Sequence, residues 1–429
     1  MRTHVVHPHL TTTSSRRTPG LALAEAVSLT EALPDLEMVA STVVPVPKPR
    51  AGTLFGPGKV DELAEAFSTD HIELVIIDGL VSPVQQRNLE RAWKVKILDR
   101  TGLILEIFGD RAQTREGVLQ VDLAHLSYQK TRLVRSWTHL ERQRGGLGFV
   151  GGPGETQIEA DRRALDERIQ QIRRALSKVV KTRSLHRAGR AKVPFPVVAL
   201  VGYTNAGKST LFNQITGAAA LAEDMLFATL DPTMRGLTLS GGQRIILSDT
   251  VGFISDLPTQ LVAAFRATLE EVLDADVIIH VRDIAHPETE AQAADVLTIL
   301  SQLGIDDVRR EGLIEVLNKT DLLDEAALDA VKRRSGRAQR KIAVSALTGN
   351  GIPDLLALIE QELEPPKIRA ELTLGFAEGR ARAWLFEQKV VHSEAQSDDG
   401  YRLQVEWTEK QRSHFRSLMN DMKQDTNLS

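Results

Sequence analysis

Apolar positions along the first part of the chain follow two spacings in turn, that of amphipathic helices and that of buried strands. The helical spacing covers residues 21–32, 60–67 and 83–93, and strand-like runs cover residues 37–45, 73–77 and 95–98. Alternation of this kind predicts a small parallel α/β sheet, which we interpret as a nucleotide-binding-like domain over residues 21–115. Residues 1–20 show neither spacing, and we predict a disordered tail there.

A long helical pattern follows over residues 116–192. Apolar residues repeat with coiled-coil spacing as far as Leu140, and the spacing returns from Leu165 to Val179. The segment Gly145–Gly154 lies between them, and its glycines cannot continue a helix. The pattern therefore predicts an antiparallel helical hairpin with an exposed, glycine-rich tip.

Strand–helix alternation resumes over residues 193–364, and a proline pair at 365 and 366 closes it. The last part of the chain, residues 365–429, holds two strand-like runs, Glu371–Phe376 and Tyr401–Trp407, with a turn before the second. We predict a larger α/β domain followed by a small α+β domain.

Composition adds a charge asymmetry to this picture. Between Lys130 and Lys192 there are 16 Lys or Arg against 6 Asp or Glu, although the whole chain has a formal net charge of −4. A basic segment within an acidic chain predicts a polyanionic partner for the hairpin. The chain has no cysteine, which excludes thiol catalysis and cysteine-ligated metals. No apolar run approaches the ~18 residues that span a bilayer, and we expect a cytoplasmic protein.

The first chemical motif follows the apolar run Val197–Val201, where the chain reads G-x-x-x-x-G-K-S and then becomes helical. Backbone N–H groups of such a loop wrap phosphates at a helix N-terminus. We expect Lys208 to reach the β- and γ-phosphates and the Ser209 hydroxyl to bind Mg²⁺. The expected nucleotide contacts are Gly202, Tyr203, Thr204, Asn205, Ala206, Gly207, Lys208, Ser209 and Thr210.

The strand-like run Ile245–Asp249 ends in an acid that opens the motif D-x-x-G. At a strand end beside the phosphate loop, Asp249 would hold Mg²⁺ through water, and the N–H of Gly252 would sense the γ-phosphate. The expected contacts here are Asp249, Thr250, Val251 and Gly252.

A third strand-like run, Leu313–Leu317, leads into the motif N-K-T-D. A carboxylate at Asp321 would accept the N1–H and N2–H of guanine, donors that adenine lacks, and would therefore select GTP over ATP. After a further run from Ile342, a backbone N–H near Ser345 could meet guanine O6. The expected guanine contacts are Asn318, Lys319, Thr320, Asp321, Ser345 and Ala346.

Between the phosphate loop and Asp249, Thr229 is the candidate switch threonine, one of several threonines there, which would close on Mg²⁺ and the γ-phosphate. The nucleotide contacts expected in this segment are Phe227, Ala228, Thr229, Leu230 and Asp231. Candidate catalytic residues are Lys208, Thr229 and Gly252.

Besides carrying these motifs, the chain resembles the HflX family of translation-factor-class GTPases from about residue 37 to 415. The resemblance is carried by Phe55–Val60, Ile97–Phe108, Arg115–Val121 and Gly152–Glu159, outside the nucleotide motifs. It implies an α/β fold in which a P-loop GTPase domain follows a small parallel α/β domain with a helical hairpin and precedes a small C-terminal α+β domain. It also implies binding to the large ribosomal subunit and its rRNA, and GTP-dependent splitting of stalled ribosomes under stress.

Two residues bear on how GTP would be hydrolysed. Phe253 follows the D-x-x-G motif, where many GTPases have a water-orienting glutamine, so we expect slow intrinsic hydrolysis that the ribosome stimulates. Asn205 resembles the asparagine with which K⁺-dependent relatives hold a potassium ion near the phosphates. It is therefore a further candidate catalytic residue and a candidate K⁺ ligand, beside Ser209, Thr229 and Asp249 for Mg²⁺.

The leading interpretation is a ribosome-associated GTPase switch, expected to be a monomer. Two alternatives stay open at the sequence level. One is a non-ribosomal signalling GTPase whose basic hairpin binds another protein or an anionic surface. The other is an RNA-binding or remodelling protein that uses GTP or ATP.

Overall fold

The computed structural model of the chain forms two compact units, Met1–Ile359 and Glu360–Ser429. Among the residues described, no helix is both long and apolar enough to cross a membrane. The structure describes residues 1–11, 17–143, 153–190, 195–217, 227, 233–255, 272–306, 310, 312–336, 338–364, 367–397, 399–408, 411–416 and 418–419, with side chains in the two longest helices described for residues 115–132 and 159–179.

The first unit opens with a four-stranded parallel sheet in the order β2-β1-β3-β4. Helices on both faces connect the strands, as the alternating pattern predicts. The sheet elements are β1 (Arg2–Leu10), α1 (Pro19–Glu31), β2 (Glu37–Val46), α2 (Pro57–Thr69), β3 (Leu74–Ile77), α3 (Pro83–Trp93) and β4 (Lys96–Asp99).

The prediction of a disordered tail is wrong for Arg2–Leu10, because these residues form β1 between β2 and β3. Only two adjacent residues of the strand, Val5 and Val6, read as core in the sequence, and both are 0% exposed. The polar His4 is buried as well, and its Nε2 has a polar partner in the hydroxyl of Thr42 on β2, at 3.0 Å. Pairing with strands that are distant in sequence therefore determines that these residues form a strand, and local periodicity does not reveal such pairing.

The two faces of the sheet belong to different cores. Val6, Val75 and Ile77 pack with α2 and α3. The alternate residues, among them Val5 and Ile76, pack with α1 and with α4 (Arg100–Arg111), and this second core continues into the nucleotide domain. The N-terminal sheet and the nucleotide domain therefore share one hydrophobic core.

The predicted hairpin consists of two long helices that contact each other, α5 (Arg115–Gln143) and α6 (Pro153–Arg190). An ion pair joins Lys130 to Asp166 across them. Most of the predicted glycine-rich tip lies outside the described residues.

The nucleotide domain contains a six-stranded sheet in the order β10-β9-β8-β5-β7-β6, in which only β6 is antiparallel to its neighbour. Its elements are β5 (Val197–Gly202), α7 (Lys208–Thr216), β6 (Thr233–Thr238), β7 (Arg244–Asp249), β8 (Val277–Asp283), α8 (Thr289–Gln302), β9 (Ile314–Asn318), α9 (Glu325–Ser335), β10 (Lys341–Ala343) and α10 (Ile352–Leu363).

The second unit contains an antiparallel sheet in the order β11-β13-β12 and the helix α11 (Gly379–Glu387). The strands are β11 (Lys367–Gly375), β12 (Val391–Ser397) and β13 (Gly400–Thr408). Apolar residues of β11, β13 and α11 form its core. The α+β prediction is confirmed, but β12 escapes sequence analysis because it is an exposed, polar edge strand.

The buried position of β1 leads to a stability prediction. Val6→Ala removes two methyl groups from a closed core and should lower the free energy of unfolding by about 2 kcal/mol in urea titrations followed by circular dichroism. Val118→Ala is the matched control, because Val118 is 42% exposed and should change it by less than about 0.5 kcal/mol. Equal stability of the two variants would contradict a central β1.

Candidate functional site

The predicted motif residues converge because they follow parallel strands of one sheet. Gly202 ends β5, Asp249 ends β7, Asn318 ends β9, and Ser345 follows β10. Carboxyl ends of parallel strands share one edge of a sheet, where open α/β folds bind their ligands. The sheet thus brings the phosphate loop, the D-x-x-G motif and the N-K-T-D motif to one edge.

The phosphate loop turns into α7 at Gly207, whose φ of +87° favours glycine. A Cβ at this position would lie 2.3 Å from Nδ2 of Asn318, so a side chain at residue 207 would also displace Asn318. Lys208, the next residue, is 6% exposed, and its Nζ donates to the carbonyl of Tyr203 at 2.8 Å. Burial lowers the pKa of Lys208 to about 8, although Asp249 opposes the shift.

The hydroxyl of Ser209 donates to Oδ2 of Asp249 at 2.6 Å. This pair sets two hard oxygen donors at the start of α7, beside the buried ammonium of Lys208. Mg²⁺ in nucleotide sites usually takes one or two protein oxygens and completes its shell with water and phosphate. The donor set therefore fits Mg²⁺, and the described residues contain no group of three or more His, Asp or Glu that would suggest an all-protein metal cage.

Gly252 lies against the phosphate loop. A Cβ built on it would be 2.8 Å from Cγ2 of Thr204 and 3.1 Å from Nζ of Lys208. Only glycine permits this approach, which places the backbone of Gly252 beside the lysine that is expected to reach the phosphates. The position fits the γ-phosphate sensing predicted for Gly252.

Phe253 is built into the protein interior and is 1% exposed. Its N–H donates to the carbonyl of Gly202 at 3.0 Å, and its carbonyl accepts the N–H of Thr204 at 2.7 Å. A buried ring fixed in this way cannot orient a water molecule. The segment after Gly252 is instead tied to the phosphate loop by main-chain hydrogen bonds.

Asn318 connects the loops around the predicted guanine site. Its Nδ2 donates to the carbonyl of Ala206 at 2.8 Å, and its Oδ1 accepts the N–H of Ala346 at 2.9 Å. Asn318 is 1% exposed, so both bonds are shielded from water. One amide therefore holds the phosphate loop and the loop after β10 in a common position.

Asp321 and Lys319 lie beside this connection. Oδ1 of Asp321 accepts the hydroxyl of Ser345 at 2.5 Å, which orients the carboxylate. Lys319 has a φ of +63°, and its Nζ lies 2.9 Å from Oδ2 of Asp283. These contacts hold both side chains before any ligand binds, as a preorganised recognition site requires.

The side chains of two other predicted nucleotide contacts, Phe227 and Thr250, pack or bond within the protein. The side chain of Phe227 lies 4.6 Å from the ring of Phe108 on α4 and is buried, so it takes part in domain packing. The hydroxyl of Thr250 donates to the carbonyl of Leu200 within the sheet. The predicted contacts Ala228, Thr229, Leu230 and Asp231 lie outside the described residues.

A buried polar cluster next to the phosphate loop was not predicted from the sequence. Glu25 of α1 and Arg100 of α4 contact Tyr203 and Ser255 of the nucleotide domain. One signal was present, because Arg100 is a cation at the first turn of a helix, where the helix dipole disfavours it. Such a residue needs an anionic partner, and the sequence alone does not say which.

Four protein families match consecutive parts of this chain. Residues 21–109 match a family described as GTP-binding GTPase N-terminal, and residues 111–190 match the GTP-binding GTPase Middle Region. Residues 197–319 match a 50S ribosome-binding GTPase family, and residues 330–427 match the HflX C-terminal domain.

Two relatives are similar to this chain over most of their length. A GTPase HflX of Magnetococcus marinus is 50% identical over 84% of this chain and 81% of its own, and that of Escherichia coli is 45% identical over 80% of each. Among solved structures, a GTP-binding protein from Sulfolobus solfataricus in complex with GDP is 24% identical over 84% of this chain and 98% of its own, with a TM-score of 0.43. The identities to these relatives and the four consecutive domain matches show that this chain is a GTP-binding, GTP-hydrolysing member of the HflX family.

Proposed function

We propose that this GTPase binds the large ribosomal subunit in the cytoplasm and dissociates or rescues stalled ribosomes under stress. The observation that carries the proposal is the α5–α6 hairpin, whose segment from Lys130 to Lys192 holds 16 basic against 6 acidic residues. It belongs to the same compact unit as the nucleotide site. A basic hairpin of this kind suits contact with rRNA phosphates, which dominate the affinity of proteins for nucleic acids.

The nucleotide would be held along the sheet edge from Gly202 to Ala346. Lys208 would take the β- and γ-phosphates, and Asp321 the guanine edge. Ser209 and Asp249, with Thr229 outside the described residues, would hold Mg²⁺, which when bound neutralises charge on the two outer phosphates. The segments around Thr229 and Gly252 would be ordered by GTP and released after hydrolysis, which would change the affinity for the ribosome.

The first prediction concerns steady-state GTP hydrolysis with and without purified large ribosomal subunits. We expect stimulation of at least tenfold by the subunits, and loss of most activity in Lys208→Ala, because removal of the ammonium leaves phosphate charge uncompensated. A chain that binds GTP tightly but shows no stimulation would favour the alternative, a signalling GTPase with a different anionic partner.

The hairpin itself can be tested by binding to the same purified subunits. Arg173→Glu with Arg174→Glu reverses two exposed charges of α6 and should weaken co-sedimentation with the subunits in sucrose gradients and reduce its salt dependence. Arg333→Glu with Arg334→Glu is the matched control, because these adjacent exposed arginines lie on α9 of the nucleotide domain. Equal losses in both double variants would argue against the hairpin as the contact.

A second prediction addresses base recognition. Asp321→Asn replaces one acceptor by a donor and should lower GTP affinity by about 3 kcal/mol, while raising the relative affinity for xanthosine triphosphate, measured by competition binding. Asp324→Asn is the control, because Asp324 caps α9 through the N–H of Ala327, and asparagine serves equally well there. Loss of GTP binding in both variants would contradict the assignment.

A third prediction concerns potassium. Asn205 has a φ of +58°, so it sits at a sharp turn of the phosphate loop. If its side chain holds K⁺ beside the phosphates, hydrolysis should be several-fold faster in K⁺ than in Na⁺, and Asn205→Ala should abolish the difference. Equal rates in both salts, with and without ribosomal subunits, would reject the assignment.

A further inference from the structure

The N-terminal domain reaches directly into the phosphate loop through Glu25 on α1. One carboxylate oxygen of Glu25 accepts the hydroxyl of Tyr203 at 2.6 Å and Nη1 of Arg17 at 2.8 Å. Nη2 of Arg17 also donates to the Tyr203 oxygen at 2.6 Å. The Tyr203 hydroxyl therefore has two partners in the N-terminal region, Glu25 and Arg17. Its third partner is the main-chain N–H of Ser255.

That bond links the phosphate loop to the segment after Gly252. The N–H of Ser255 donates to the Tyr203 oxygen at 2.8 Å. The other oxygen of Glu25 accepts the Ser255 hydroxyl at 3.0 Å, and Arg100 donates to both the hydroxyl and the carbonyl of Ser255, at 2.9 and 3.2 Å. Every polar group of Ser255 is therefore held by this set of residues, which we name the Glu25 cluster: Arg17, Glu25, Arg100, Tyr203 and Ser255.

The cluster is anchored in the N-terminal sheet. Nη1 of Arg100 donates to Asp78 at 2.6 Å, and Asp78 follows β3. Burial raises the pKa of Glu25, but Arg100 and Arg17 outweigh it and lower the pKa to about 2. Glu25 is thus ionised at neutral pH, and a buried ion pair of this kind tolerates little displacement of its partners.

Two members of the cluster, Tyr203 and Ser255, lie within three residues of glycines that line the nucleotide site. Tyr203 directly follows Gly202, and its carbonyl accepts Nζ of Lys208. Ser255 comes three residues after Gly252, and Phe253 between them bonds the phosphate loop through its main chain. The residue after Gly252 is Phe253, and the position of this segment is fixed by main-chain bonds of Phe253 and Ser255.

We propose that Glu25 and the hydroxyl of Tyr203 are positioning residues for GTP hydrolysis, through which the N-terminal sheet sets the place of the Gly252–Ser255 segment relative to Lys208. The proposal depends on GTP hydrolysis alone and not on a ribosomal partner. It assigns the N-terminal domain a part in the arrangement of the nucleotide site.

The test is kinetic and uses the full chain without ribosomes. Tyr203→Phe keeps the ring and removes only the hydroxyl, and Glu25→Gln keeps the shape and removes the charge. We expect kcat to fall at least tenfold in each, while the affinity for GDP stays within about threefold, because GDP lacks the phosphate that Gly252 senses. The double variant should lose little more than either single variant, since both act through one contact.

The chain contains a matched control in Tyr128 of α5. Its hydroxyl donates to Asp99 at 2.7 Å and Arg132 lies over its ring, 5.1 Å from the ring centroid, much as Arg17 lies 5.3 Å from that of Tyr203. Tyr128→Phe should leave kcat unchanged.

Three results would overturn the proposal. The first is a kcat in folded Tyr203→Phe that is unchanged or higher. The second is an equal fall in Tyr128→Phe, which would show a general effect of losing a buried hydroxyl. The third is a loss of GDP affinity as large as the loss of kcat, which would show that the phosphate loop itself had collapsed.

Discussion

The nucleotide site depends on one constraint, the shared edge at which parallel strands of a sheet end. β5, β7 and β9 run in the same direction, so the residues that follow them meet although they lie far apart in the chain. Asn318 then converts proximity into fixed geometry, because its amide bonds both Ala206 and Ala346. Removal of that amide would leave two buried main-chain groups without partners, which explains why this side chain occupies the centre of the site.

The second organising feature is a buried charge. Arg100 begins α4, where the positive end of the helix dipole disfavours a cation. It is retained there because Asp78 and Glu25 neutralise it, and its Nη2 also donates to the hydroxyl and the carbonyl of Ser255. Buried ion pairs add little net stability compared with apolar packing, but separating the partners leaves an uncompensated buried charge, which is strongly unfavourable. The ion pairs therefore specify how the N-terminal sheet and the nucleotide domain meet, and the shared apolar core holds them together.

Features that depend on neighbours in sequence were predictable, and features that depend on distant partners were not. α3 runs over Pro83–Trp93 as predicted, because proline at its start and the capping box of Ser82 and Gln85 mark the boundary locally. The nucleotide motifs were recognisable because each is a short run after an apolar strand. β1 was missed because its burial comes from strands that follow much later, and Glu25 was missed because its partner Tyr203 is 178 residues away.

Phe253 belongs both to the nucleotide site and to the core that the nucleotide domain shares with the N-terminal sheet. A glutamine at this position would have to remain near the phosphates to orient water, which would keep the segment after Gly252 polar and accessible. Phenylalanine instead enters the core shared with α1 and α4, and its main chain pairs with Gly202 and Thr204. The phenylalanine that stands where many GTPases have a catalytic amide thus also attaches this segment to the core shared with the N-terminal domain. Because Ser255, which the Glu25 cluster holds, lies three residues after Gly252, a displacement of the N-terminal sheet would strain the backbone next to Gly252.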